Sequence, residues 1–174
     1  MSRREVSAVK LFRWVNDMLG IDLICVGKLK EKFFADACEE YKKRLGAYCR
    51  LNITELAETP ASNASEVARA LEAEGERISA KIPKDAYIIC MCVEGKKLSS
   101  EKLSEKVSEL KCSGRSRLAI IIGGSNGIDE KIKQRADFRL SMSDMTFPHH
   151  LARVMVLEQV YRAFKIEEGS GYHK

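Results

Sequence analysis

Apolar positions along the chain fall into two alternating kinds of run. Short stretches at Ile21–Val26, Leu51–Leu56, Tyr87–Val93 and Leu118–Ile122 are continuous or of period two, the pattern of strands, and Phe138–Met142 reads as a weaker fifth strand. Between them lie longer stretches of period near four. Lys30–Leu45 carries Phe33, Ala37, Tyr41 and Leu45 on one stripe and stops at Gly46. Asn63 and Glu66 form a capping box for a helix running to about Ala80, with Val67, Leu71 and Ile78 on one face. Pro83 and Asp85 break the chain before the third strand, and Ser99–Leu110 follows it as a helix by its Leu103, Val107, Leu110 spacing. Asp129 caps a short helix through Ala136, and a last helix spans about Leu151–Ile166. Strands alternating with helices predict one α/β domain with a mostly parallel sheet flanked by helices.

Two elements depart from this regularity. The run Ala119–Ile122 has no polar break, which suits a strand buried on both faces, and it ends in Gly123-Gly124-Ser125-Asn126-Gly127. Three glycines in five residues let backbone pass close to another group, and ligands of open α/β sheets bind at the carboxyl ends of strands. The last helix carries Leu151, Val154, Met155, Val156, Leu157, Val160, Tyr161 and Phe164 around most of its circumference. A helix apolar on so many sides needs more than one packing surface, which points to a homodimer through this C-terminal helix.

Composition narrows the function classes. The chain has 174 residues, 45% of them hydrophobic, and a formal net charge of +5 spread without a long basic block. That permits an acidic partner such as RNA without demanding one. The six cysteines include no C-x-x-C pair, and Cys25, Cys90 and Cys92 fall in apolar runs, where a free thiol acts as a small hydrophobe. With no converging Cys, His or carboxylate pattern, no metal site is expected. No apolar run reaches membrane-spanning length, so no membrane role is expected, and a reducing cytoplasm is the simplest setting. Residues Met1 to Asp17 lack a continuous apolar core and read as an extension outside the fold, with Met18 as the natural start and residues 18–174 as the domain.

The glycine loop fails two phosphate-binding patterns, having neither a following Lys-Ser/Thr nor a place after the first strand. It does satisfy G-x-S-x-G, and Asp144 and His149 follow Ser125 in hydrolase order, but Gly127-Ile128-Asp129 delays the helix that an elbow requires at once. A plain strand-to-helix turn is the remaining alternative. A second candidate is Leu140 to His149, which mixes hydroxyls, a carboxylate and apolar side chains before a helix N-terminus. His149 can exchange a proton near neutral pH, and Arg153, four residues on, shares its helical face. The tail Tyr172-His173-Lys174 has the composition of a base-stacking, phosphate-gripping segment.

Five segments taken together resemble one family. They are Cys92–Lys96 (CVEGK), Ile121–Gly127 (IIGGSNG), Leu140–His149 (LSxSxMTFPH), Arg153–Ile166 (RVxxxEQVYRAFKI) and Tyr172–Lys174 (YHK). The chain from Met18 to Lys174 is similar to the bacterial large-subunit rRNA pseudouridine N3-methyltransferases, the YbeA-like family of the SPOUT superfamily. The resemblance implies a C-terminal trefoil knot and a homodimer. It also implies S-adenosylmethionine held by Met91, Gly124, Ser143, Asp144, Met145, Thr146, Phe147 and Pro148. The implied reaction methylates N3 of a pseudouridine in helix 69 of 23S rRNA in the assembled ribosome. His149 and Arg153 would position and stabilise charge, and Tyr172 and His173 would contact RNA. Where many relatives carry a basic residue this chain has Glu168, and Ser170 stands where they carry an acid, so weaker phosphate attraction by the tail is expected.

Overall fold

A computed structural model of the chain describes residues 18–173, without the side chain of His173. The expectations for Met1–Asp17 and Lys174 therefore fall outside the described residues. Five strands and five helices alternate: β1 Gly20–Val26, α1 Lys32–Leu45, β2 Arg50–Leu56, α2 Ala64–Ser79, β3 Tyr87–Lys97, α3 Ser100–Cys112, β4 Arg117–Ile122, α4 Glu130–Arg135, β5 Phe138–Ser141 and α5 His149–Glu167. A 3-10 turn at Gly171–His173 ends the described chain.

The sheet has the order β2-β1-β4-β3-β5, with every pair parallel. Central strands are buried on both faces because crossover helices cover both. Along β1, Ile21, Leu23 and Cys25 face one core, while Ile24 and Val26 face the other. In β4, Leu118, Ile120 and Ile122 alternate with Ile121 in the same way. The polar interruption of β1, Asp22, is buried but paired with Arg117 at 2.7 Å. Helices α1, α3 and α5 contribute to the first core, and α2 and α4 lie together on the second.

Helix α5 lies between α1 and α3 and also touches β4. Its Val156, Leu157, Val160, Ala163 and Phe164 are buried. Two helices of the same chain thus supply most of the packing surface that its all-round apolarity requires. Leu151, Val154, Met155 and Tyr161 stay half-buried beside this packing.

Strand β3 runs four residues past the apolar stretch that announced it. Both Met91 and Lys96 register against Leu140, and Lys97 pairs with Ser141, so residues between them bulge out and the chain returns to the same partner on β5. The clasp closes at Gly95, where a Cβ would stand 2.6 Å from the Leu140 carbonyl carbon and 2.7 Å from the Ser141 nitrogen. Neither backbone can move aside. Gly95→Ala is therefore expected to cost about 2 kcal/mol or more, the scale of overpacking a tight site. A drop in the urea midpoint checks this, and an unchanged midpoint would show that the clasp is loose.

Candidate functional site

The carboxyl ends of β3, β4 and β5 open onto one cleft of about 620 Å³. Three segments line it: Met91–Val93 from β3, Ile122–Ser125 with Gly127 and Ile128 after β4, and the β5–α5 connection into His149. The glycine loop folds back on itself, with Gly127 N donating to Gly124 O at 3.1 Å and Gly127 at φ +91°. A Cβ on Gly123 would collide with the Gly127 carbonyl, so the turn admits no side chain there. In the third segment, Ser141 Oγ donates to Ser143 O at 2.9 Å and Met145 N donates to Ser143 Oγ at 3.0 Å. These local bonds fix the loop without using its apolar side chains, which are left for the cleft. Pro148 is the N-cap of α5, one residue outside the first helical position.

Of the residues singled out from sequence, Met91, Gly124, Ser143, Met145, Thr146, Phe147, Pro148 and His149 all line this cleft. Asp144 does not line it: its side chain is 86% exposed and pairs with Lys97 at 2.6 Å. The pair lies at the surface, between the loop and the end of β3.

His149 has Nε2 buried and without a hydrogen-bond partner. A Cβ on Gly27 would lie 3.2 Å from that nitrogen, and Gly27, at φ +88°, is the residue that leaves room for it. Burial, and then the neighbouring charge of His150, whose ring is 4.0 Å away, push the His149 pKa below its ordinary value. The imidazole is therefore neutral at pH 7.

Arg153 does not line the cleft. It is 1% exposed, with Nη1 paired to Glu55 and Nη2 donating to the Gly27 carbonyl at 3.0 Å. Its guanidinium ties the first turns of α5 to the ends of β1 and β2 and holds Gly27 beneath His149. Glu55 and Glu58, the acidic partners of this region, were missed by sequence reasoning. Charged residues at the end of a half-exposed strand look like ordinary surface, and only their place at the strand's carboxyl end was a signal.

The tail lies apart from the cleft of its own chain. Tyr172 packs edge-on against Tyr161 at 5.1 Å, with the Arg162 guanidinium 4.8 Å from its ring centroid. Tyr161 lies twelve residues along α5 from His149, about 18 Å at the helical rise, so this tail does not reach its own chain's cleft. Glu168 pairs with Lys165 at 2.7 Å, so its charge is answered within its own helix end. Ser125 Oγ donates to Glu58 at 2.5 Å, and neither Asp144 nor His149 bonds it, so the hydrolase constellation is not assembled. Burial pushes the Cys25, Cys49 and Cys90 thiols up to about 12, which removes them as nucleophiles.

Residues 19–173 match the family model described as Predicted SPOUT methyltransferase. The chain belongs to the SPOUT methyltransferase family. It is 52% identical over 157 residues to the ribosomal RNA large subunit methyltransferase H of Bifidobacterium adolescentis, an alignment spanning 88% of this chain and 99% of that protein. The protein of the same name from Clostridium novyi is 48% identical over 160 residues, 90% of this chain and all of that one. A probable methylase family protein from Haemophilus influenzae Rd KW20 shares the fold, with a TM-score of 0.50 at 15% identity over 87% of this chain and 67% of that one.

Replacing Arg153 with alanine leaves the Gly27 carbonyl without its guanidinium donor and Glu55 with the Leu29 N–H but no counter-charge. Because Glu55 is 35% exposed and can rehydrate, the expected loss is roughly 2–3 kcal/mol, below that of a fully buried pair. Arg153→Lys should recover only part of it, since an ammonium cannot bridge both acceptors in the same fork. Chemical denaturation checks both variants. A lysine variant as stable as the native chain would show that the two-point bridge is unimportant.

Proposed function

We propose that the chain transfers a methyl group from S-adenosylmethionine to N3 of a pseudouridine in large-subunit rRNA. The finer target would be helix 69 of 23S rRNA in the assembled ribosome, in a cytoplasmic setting. The observation that carries this reading is the cleft itself. Three loops from adjacent strand ends bring Met91, Gly124 and the Ser143–Pro148 connection together, in a chain about half identical to proteins named as rRNA large subunit methyltransferases.

The cleft fits such a donor by size and by lining. Its volume is within the range of small-molecule sites, its walls are mostly apolar side chains, and the glycine loop presents backbone at close approach. Met91, Gly124 and residues 143 and 145–148 would hold it, with Asp144 outside the lining. When bound, the sulfonium supplies an already activated methyl group, so the protein's task is alignment and management of one proton.

N3 of the base must lose a proton as the methyl arrives. Two titratable side chains line the cleft, Cys92 and His149; burial raises the Cys92 thiol and keeps it protonated, whereas His149 is neutral and hence able to accept a proton. With Nε2 turned inward against Gly27, Nδ1 is the nitrogen left for that task. Arg153 is a positioning residue in this scheme, because it fixes Gly27 and the helix turn that carries His149. Tyr172 and His173 contact RNA at the cleft of a second copy, since their own cleft is out of reach. This requires a homodimer, for which the half-buried Leu151, Val154 and Tyr161 of α5 offer a remaining apolar face.

The test is methyl transfer onto ribosomes from a strain lacking the modification, with the product nucleoside located by mass spectrometry. The expected result is one methyl on a pseudouridine of 23S rRNA, with His149→Gln slower by about 100-fold or more, the scale of a lost general base. Full activity in that variant would remove His149 from its role. No transfer by the native protein, with cofactor still bound, would leave a catalytically silent RNA-binding module.

A further inference from the structure

We propose that Glu58 is a positioning residue of the cleft, which anchors the glycine loop through Ser125 and faces His149 as its counter-charge. Glu58 lies between β2 and α2 and stands behind the loop, outside the cleft lining. Its Oε1 accepts the Ser125 backbone N–H at 2.9 Å and the Ser125 hydroxyl at 2.5 Å. Two glycines make the approach possible. A Cβ on Gly124 would stand 2.9 Å from Glu58 Oε1, and one on Gly27 would stand 3.8 Å from Oε2 and 3.2 Å from His149 Nε2.

The carboxylate is itself held in place from α2. The next residue, Thr59, donates its N–H to Glu74 at 2.7 Å, and Arg77 donates to the Thr59 hydroxyl at 2.5 Å. Glu74 is 3% exposed, so this anchor is part of the core rather than a surface contact. The far end of the glycine loop meets the same helix, where a Cβ on Gly75 would lie only 2.8 Å from Asp129 Cβ. Helix α2 therefore sets both ends of the loop, one by close packing and the other through Thr59, Glu58 and Ser125. This gives Ser125 a purpose other than nucleophilic attack: its hydroxyl is a structural donor.

The electrostatics agree. The Ser125 hydroxyl, followed by its backbone N–H, holds the Glu58 carboxyl below its usual range, so it is ionised at neutral pH. Around His149, burial and the charges of His150 and Arg153 oppose protonation, while Glu58 and Glu31 favour it. Glu58 thus offsets part of the burial penalty on the imidazole and keeps its proton affinity from falling further. The effect on rate rests on the methyl-transfer reading; the anchoring and the charge coupling do not.

The experiment uses the full chain and two variants. Glu58→Gln differs by one atom group and keeps a carbonyl acceptor for Ser125, so it separates charge from anchoring. The His149 C2–H resonance, assigned with a His149→Gln variant, is followed against pH by NMR. Its midpoint is expected to move to lower pH in E58Q, and an unchanged midpoint overturns the electrostatic half. Affinity for S-adenosylmethionine is measured by calorimetry in parallel. It is expected to weaken about ten-fold in E58A, the scale of one lost charge-assisted hydrogen bond, and to be largely restored in E58Q. Native affinity in E58A overturns the anchoring half. Absence of binding by the native protein would strike the methyltransferase reading instead, and the histidine titration would still decide the charge coupling.

Discussion

At Gly95 one stretch of backbone passes another with no room for a methyl group, and the site follows from that crossing. Because Met91 and Lys96 both register with Leu140, β3 must bulge outward between them, and the bulge becomes one wall of the cleft. The chain leaving the edge strand β5 turns through residues 142–148 before α5 begins, and that turn becomes the second wall. The third wall, the glycine loop, comes from β4, the neighbour of β3 on its other side. The close approach at Gly95 and the parallel order of β4, β3 and β5 together bring three strand ends to one cleft.

The chemistry of the site depends on a division between residues that face the cleft and residues that stand behind it. His149 lines the cleft, and its neutrality comes from burial. Behind it, Arg153 bridges Glu55 and Gly27, and Glu58 bridges Ser125 toward α2. Of the two charged groups that look most functional in sequence, Arg153 bridges two acceptors from a buried position, while Asp144 forms only an exposed pair with Lys97. The pattern is physically reasonable. A charge buried on a rigid bridge positions its neighbours at low cost in entropy, whereas an exposed charge on a mobile loop positions little.

Four strands and four helices were legible from hydrophobic period, since central strands buried on both faces have continuous apolar runs and helices have four-residue stripes; α4 was read from its Asp129 cap and β5 as a weaker strand. The glycine loop and the Leu140–His149 loop were legible as candidate ligand sites from their glycines and their places at a strand end and a helix start, and Met91 through the family resemblance. Three things were not. The last four residues of β3, Glu94–Lys97, are polar and glycine-containing, so they read as a turn although they pair with β5. The apolar girth of α5 suggested a partner subunit, because sequence does not say that α1 and α3 flank it. Glu55 and Glu58 were invisible as a pair of anchors, because their partners lie 98 and 67 residues away in the chain.

The central claim is that three strand-end loops form one cofactor site. Hydrogen exchange read by mass spectrometry, with and without S-adenosylmethionine, tests it most directly. The account predicts protection of peptides covering residues 91–97, 123–128 and 142–149 together, with little change along α2 or the body of α1. Protection confined to one loop, or located elsewhere in the chain, would contradict it.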